Sequence, residues 1–173
     1  MTREYWIGLA KDWGIALGIV TVAFIGWAAF STPRPVSQGE APAFALTTTD
    51  GALVNLSQFD DDEVVVLNFW FTTCGPCRHE IPELSKFHEH NPDVPMFGIS
   101  VDSMPTTQLA GRSKKLGITY PVLHDADSRV ASDYGVRIFP TTVLIKGGEV
   151  VLSRIGEVNE RSLGELVASA REH

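Results

Sequence analysis

Apolar positions along the chain follow two regimes. From Trp13 to Phe30 there are 18 residues without a charge. As a helix this span would be about 27 Å long at 1.5 Å per residue, close to a hydrocarbon thickness of about 30 Å. Trp6, Trp13 and Trp27 sit near its ends, where indoles favour the headgroup region. Arg3 and Lys11 precede it and only Arg34 follows closely, which favours an inside N-terminus and an outside remainder. The pattern predicts a cytoplasmic segment at 1–12 and a retained single-pass anchor at 13–30. The competing reading is a cleaved signal peptide. Against it stand the long segment ahead of the apolar run, the length of that run and the lack of an A-x-A site after it. Gly14, Gly18 and Gly26 would form a small-residue face on the helix. Residues 31–43, with three prolines and no apolar period, read as a linker.

Beyond the linker, short apolar runs alternate with helical periods, and the globular domain is expected at 44–173. Phe44–Thr47 and Leu53–Leu56 flank a Thr-Thr-Asp-Gly turn and predict a hairpin. Val64–Phe71 is continuously apolar except for Asn68, as a strand buried on both faces should be. Helices are expected at Cys74–His90, Thr106–Leu116, Asp127–Tyr134 and Glu160–Arg171. Strands are expected at Pro95–Val101, Pro121–His124, Thr141–Lys146 and Val150–Ile155, the last two joined by Gly147-Gly148. Strands alternating with helices, then a hairpin and a last helix, predict an α/β sandwich with a mixed sheet.

Composition narrows the chemistry. The net charge is −7 and the sequence pI about 5.1, which disfavours a phosphate-binding surface and nucleic acid. Two cysteines exclude a stapled mini-domain and any four-cysteine metal site. Both stand where the apolar strand runs into a helix, in Cys74-Gly75-Pro76-Cys77. Two thiols at this spacing can close a disulfide around the first helical turn. Cys74 meets the unpaired N–H groups and positive dipole of the helix start, which stabilise a thiolate. Arg78 adds positive charge, and Cys77, one turn in, suits the resolving role. Pro76 fits the first turn, and Pro82 should kink the helix. Glu80 lies three residues after Cys77 on the same face, where a partly desolvated carboxylate could take the Cys77 proton. A solvated glutamate favourable to the helix dipole is the plainer alternative. A metal site would need a second cysteine pair or a tight histidine pattern, and neither is present. A structural disulfide across so short a loop would constrain little of the unfolded chain.

The strand VVVLNFW, Cys74-Gly-Pro-Cys77 with Arg78, Glu80 and Pro82, the segment YPVLHDADSRVASDYGV and Phe139-Pro140-Thr141-Thr142 together resemble the thioredoxin superfamily. Within it the chain resembles the membrane-anchored TlpA/ResA-like thiol–disulfide oxidoreductases, over Ala41–Glu172. The resemblance implies a thioredoxin-like fold with an N-terminal hairpin and an extra αβ insertion between Thr106 and His124, preceded by one transmembrane helix. It implies a redox-active Cys74–Cys77 disulfide, a proton-accepting role for Glu80 and a cis Phe139–Pro140 bond facing the cysteines. It also implies a substrate-binding surface at Trp70, Phe139, Pro140 and Thr141. Two departures stand out. Asn68 falls where thioredoxin has a buried aspartate, and Thr73 replaces the aromatic residue that usually precedes the first cysteine.

The implied activity is dithiol–disulfide exchange without a cofactor or bound metal. The domain would lie in the periplasm or otherwise outside, reducing substrate disulfides such as those of apocytochrome c in cytochrome c maturation. Disulfides of copper-site assembly proteins are the second substrate class. Electrons would come from a membrane thiol transporter of the CcdA/DsbD kind. Two alternatives use the same fold. A thiol peroxidase needs a threonine three residues before its cysteine, where Phe71 stands, and no third cysteine exists. A copper-binding protein would use a CxxxC pair with a distal histidine. Here the spacing is CxxC, and His124 is the nearest match to that histidine.

Overall fold

The computed structural model describes residues 17–24, 26 and 37–173. It divides into two units, 1–34 and 35–173. In the first, residues 17–24 are helical and exposed, with Leu17, Ile19, Val20, Val22 and Phe24 all bare. Half of the expected anchor at 13–30, residues 13–16, 25 and 27–30, lies outside the described residues. Among those described, no helix is long and apolar enough to cross a membrane.

The second unit is built on a six-stranded sheet. Its strands are β1 (Gly39–Glu40), β4 (Val65–Trp70), β5 (Met96–Ser100), β6 (Val122–His124), β7 (Thr141–Lys146) and β8 (Glu149–Ile155), in the order β1-β8-β7-β4-β5-β6. β4, β5 and β6 run parallel, while β7, β8 and β1 pair antiparallel. A separate hairpin pairs β2 (Ala45–Thr47) with β3 (Leu53–Asn55). Helices α1 (Gly75–His90), α2 (Thr106–Lys115), α3 (Arg129–Asp133) and α4 (Glu160–Arg171) cover the two faces.

The apolar run of β4 is explained by its place in the middle of the sheet. Every residue of it is buried. Alternate side chains go to opposite faces of a strand. Val65, Leu67 and Phe69 join one core with Ile99, Leu123, α3 and the hairpin residues Phe44 and Val54. Val66 joins the other with Leu84 and Phe87 of α1 and Leu163, Val167 and Ala170 of α4. Trp70 continues that second face toward Cys74, Cys77, Ile81 and Leu109. The helix α1 continues through Pro82 as one element.

One expectation needs correction. The linker read at 31–43 does not extend that far. Gly39–Glu40 form the edge strand β1 against β8, Ala41 N–H donates to Gly148 O at 2.8 Å, and Gln38 Nε2 donates to Val151 O at 2.8 Å. A two-residue edge strand is held by backbone pairing, and such pairing leaves no apolar alternation to read.

Gly98 lies in the middle of β5 for a steric reason. A Cβ there would stand 2.8 Å from Tyr120 Cε2 and 3.0 Å from Trp70 Nε1. Both rings are almost fully buried, at 3% and 1% exposure. Gly98→Ala is therefore expected to destabilise the fold by about 1–3 kcal/mol through overpacking, although alanine is ordinarily better than glycine inside a strand. The urea midpoint checks this, and an unchanged or higher midpoint would contradict the close packing.

Candidate active site

The chain leaves β4 at Trp70 and enters α1 five residues later, so the site is a strand-to-helix junction. Two contacts fix the turn between them. Asp102, just past β5, accepts from Thr72 N–H and from the Thr72 hydroxyl, each at 2.8 Å. It also accepts from the Ser100 hydroxyl at 2.8 Å. On the other side, the Phe71 ring meets Phe139 edge-on with centroids 5.4 Å apart. The chain then turns into the helix with Cys74 as the N-cap residue.

Cys74 and Cys77 form a disulfide with Cα atoms 5.3 Å apart. Cys77 N–H donates to Cys74 Sγ at 3.1 Å, which is the contact a thiolate at that position would use. Cys74 keeps 5% exposure and Cys77 none. An incoming disulfide therefore meets Cys74 first, and Cys77 lies behind it. Arg78 and His79 are exposed on the same turn.

Glu80 points inward from the next turn and is 2% exposed. Its Oε1 accepts from Asn68 Nδ2 at 2.8 Å and its Oε2 from Val158 N–H at 3.0 Å. Asn68 Nδ2 also donates to Thr142 Oγ1 at 3.2 Å. Burial pushes the Glu80 carboxyl up to about 7, against the two donors, and the nearby charge of Glu157 adds to the rise. Glu157 itself lies against the exposed His79, with Nδ1 2.7 Å from Oε2, and that hydrogen bond raises the His79 pKa. A carboxyl that titrates near neutrality, one turn from a resolving cysteine, can take a thiol proton and return it.

Phe139–Pro140 is a cis peptide bond, and Phe139 packs against the cluster that holds both cysteines. Pro140 O accepts from Gly156 N–H at 2.9 Å, and the Thr141 hydroxyl donates to Ile138 O at 2.7 Å. Beside Phe139 opens a groove whose lining includes Val101, Ala131, Val136, Ser128 and Arg137. Three residues expected at the substrate surface, Trp70, Pro140 and Thr141, are buried. Trp70 and Thr141 are each 1% exposed. Trp70 packs behind the disulfide in one apolar cluster with both cysteines, and the Thr141 hydroxyl is spent on its own loop. Phe139 stays partly exposed, so the surface a docked chain can touch is narrower than expected.

Sequence reasoning missed Asp102, Tyr120 and Val158. Asp102 stands outside every motif, Tyr120 opens the segment YPVLHDADSRVASDYGV with no role read for it, and Val158 contributes only a backbone N–H. His124, the histidine a copper reading would use, has both ring nitrogens engaged. Nδ1 lies 2.9 Å from Thr106 Oγ1 and Nε2 2.8 Å from Asp102 O.

Comparison with known proteins agrees with this geometry. Residues 38–153 match the AhpC/TSA family. The chain belongs to that family. Several proteins similar to it are named thiol–disulfide oxidoreductases. ResA of Bacillus subtilis (strain 168) is 31% identical over 150 residues, 82% of this chain and 83% of that one. ResA of Halalkalibacterium halodurans is 26% identical over 95% of this chain and 94% of its own. Among solved structures, a candidate thiol:disulfide interchange protein DsbE from Chlorobium tepidum superposes with a TM-score of 0.69 at 27% identity, covering 79% of this chain and 99% of that one. A DsbF homologue from Corynebacterium diphtheriae gives 0.67 at 26%, covering 77% and 87%. The protein is thus a thiol–disulfide oxidoreductase of the ResA/DsbE type, acting on proteins that carry disulfides.

Two predictions follow from the buried groups. A carboxyl whose folded pKa lies above its ordinary 4.5 binds its proton more tightly in the folded state. Stability should therefore fall as pH rises from about 4.5 to about 7, by on the order of 3 kcal/mol, and be level above that range. Glu80→Gln should remove this slope. Glutamine fits because Asn68 can turn its amide over, with the Thr142 hydroxyl donating in its place. Urea melts between pH 4.5 and 8 test the point, and equal slopes in both proteins would contradict it. Asp102→Ala strands the buried Thr72 N–H and hydroxyl, at an expected cost of about 1–3 kcal/mol. In a thermal melt its midpoint should drop clearly below that of the wild type.

Proposed function

We propose that this protein is a reductant of substrate disulfides, tethered by residues 13–30 to the cytoplasmic membrane with its globular domain in the periplasm or otherwise outside. The observation that carries the reading is the Glu80 carboxyl, buried and titrating near neutrality one helical turn from the sheltered Cys77. Its place one turn from that thiol suits it to exchange a proton there.

In the reaction, the Cys74 thiolate attacks one sulfur of the substrate disulfide. A mixed disulfide forms and the first substrate thiolate leaves. Cys77 gives its proton to Glu80 and attacks Cys74 Sγ. The second substrate thiolate leaves, and the Cys74–Cys77 disulfide remains. Two electrons have passed to the substrate, whose thiolates take protons from solvent or from Glu80. The Gly-Pro pair between the cysteines equals that of thioredoxin, whose potential near −270 mV is reducing. An extended substrate chain would lie along Phe139–Pro140, with a side chain in the adjoining groove.

The family resemblance and the ResA and DsbE relatives support apocytochrome c disulfides as the substrate, in cytochrome c maturation. Copper-site assembly proteins are the second candidate. A membrane thiol transporter of the CcdA/DsbD kind would return electrons from inside. The exposed apolar helix at 17–24 supports the anchor. The Phe71 position, which lacks a peroxidase threonine, and the occupied His124 disfavour the peroxidase and copper-binding alternatives.

Cys77→Ser blocks resolution, so the full chain expressed in its native membrane should accumulate a mixed disulfide through Cys74. Mass spectrometry of the trapped partner should find apocytochrome c joined through a haem-binding cysteine. Trapping of copper-site assembly proteins alone would move the substrate assignment. No trapped protein, or release of the chain from membranes by carbonate, would defeat the proposal.

A further inference from the structure

Three polar atoms in the described residues are buried without a protein partner: Trp70 Nε1, His88 Nδ1 and Tyr120 OH. Unpaired donors in a core are costly and rare. Two of the three belong to rings that meet at one place in the sheet, beside Gly98. Trp70 Nε1 and Tyr120 Cε2 both lie about 3 Å from the position that a Gly98 side chain would take. The Tyr120 hydroxyl is two bonds beyond Cε2.

That point lies next to Glu80. Asn68 and Gly98 are register partners on the neighbouring strands β4 and β5, about 4.8 Å apart. In a parallel pair their side-chain positions share a face, the face of Trp70 and α1. Asn68 fills its position and holds Glu80 Oε1. Gly98 has no side chain, and the rings of Tyr120 and Trp70 come into the space beside it. The charge of Glu80 in turn raises the Tyr120 pKa, on top of a larger effect of burial.

We propose that Trp70, Tyr120 and Glu80 hold one internal water between them, which makes Tyr120 a positioning residue for the Glu80 carboxylate. The donor count matches. Indole N–H and phenol O–H each donate to the water oxygen, and the water turns its hydrogens to Glu80. A carboxylate has about four acceptor positions, of which Asn68 and Val158 use one each. The water donates, so it favours ionised Glu80 and opposes the upward push of burial. Glu80 is thereby kept able to take the Cys77 proton near neutral pH. This rests on the reading that Glu80 exchanges a proton with Cys77.

Asn68 on β4 and Glu157 and Val158 ahead of α4 act on Glu80, its charge reaches Tyr120 ahead of β6, and Cys77 lies one turn back on its own helix. His88 meets Tyr120 edge-on at 6.4 Å and is the competing source of a pH effect.

The test uses the full chain with Cys74→Ser, so that Cys77 is the one thiol. Its alkylation by iodoacetamide is followed from pH 5 to 9. Tyr120→Phe removes one donor to the water. The Glu80-dependent inflection should then move alkaline by about half a pH unit, a roughly threefold change in the mid-slope rate. The same shift should persist in a His88→Gln background. In the wild type, the Trp70 indole N–H, assigned by Trp70→Phe, should show a nuclear Overhauser effect to a long-lived water. An unmoved or acid-shifted profile, a shift lost with His88→Gln, or no water at the indole overturns the proposal. If Glu80→Gln itself leaves the Cys77 profile unchanged, the proton-acceptor reading of Glu80 fails instead.

Discussion

A carboxyl group taken out of water has to be met by donors, and the surroundings of Glu80 are organised around that requirement. Desolvating an ionised carboxylate without partners costs many kcal/mol. Here the central strand offers an amide from Asn68, and the segment leading into α4 offers the Val158 N–H. These donors come from elements far apart in sequence, 12 and 78 residues from Glu80. The helix that carries the cysteines is therefore pinned at its second turn to both the sheet and the C-terminal helix connection. The geometry of the redox site and the ionisation of Glu80 are set by the same contacts.

The first turn of that helix obeys a second constraint. Its leading N–H groups have no partners within the helix. Cys74 Sγ takes one of them, from Cys77. The approach to the turn is set by Asp102 from one side and by the Phe71–Phe139 contact from the other. Asp102 uses both carboxylate oxygens on Thr72, so the loop is held through a residue that leaves no trace in the Cys-Gly-Pro-Cys motif. His124 continues the chain of contacts by bonding Asp102 O and reaching Thr106 at the start of α2. This histidine is a brace between β6 and α2.

Local pattern made most of the architecture legible. The unbroken apolar run at β4 announced a strand covered on both faces, and the period of residues 160–171 announced α4. The hairpins showed through their turn residues, and the redox site through two cysteines at a strand end. What stayed hidden depends on contacts across the sheet. The strand β1 is two residues of edge pairing. Trp70 was expected from the family resemblance both beside the disulfide, where it packs, and at the substrate surface. Whether it is in front of the disulfide or behind it depends on the strand face it occupies, and here it shares the face of α1. Thr141 was misplaced for the same reason: its hydroxyl turns back to Ile138. The inward turn of Glu80 could be read only as one of two possibilities, because a helix face has meaning once its neighbours are known.

The amide at position 68 then has a physical explanation. A second carboxyl there would face Glu80 at hydrogen-bond distance, and two like charges so close cannot both ionise. They would share one proton and titrate as a pair, with neither group free to follow the thiol alone. Asparagine removes this coupling. Its Nδ2 donates to Glu80 and to Thr142 at once, so it favours ionised Glu80 without titrating. In the proposed mechanism, proton exchange is left to one group, on the same helix as Cys77. A carboxyl on the strand would keep its distance from the sheet while the helix moved. One on the helix keeps its distance from Cys77 instead, three residues along a rigid turn. Placing the acid on α1 and a neutral donor on β4 thus ties the proposed proton acceptor to the thiol and leaves the sheet to anchor it.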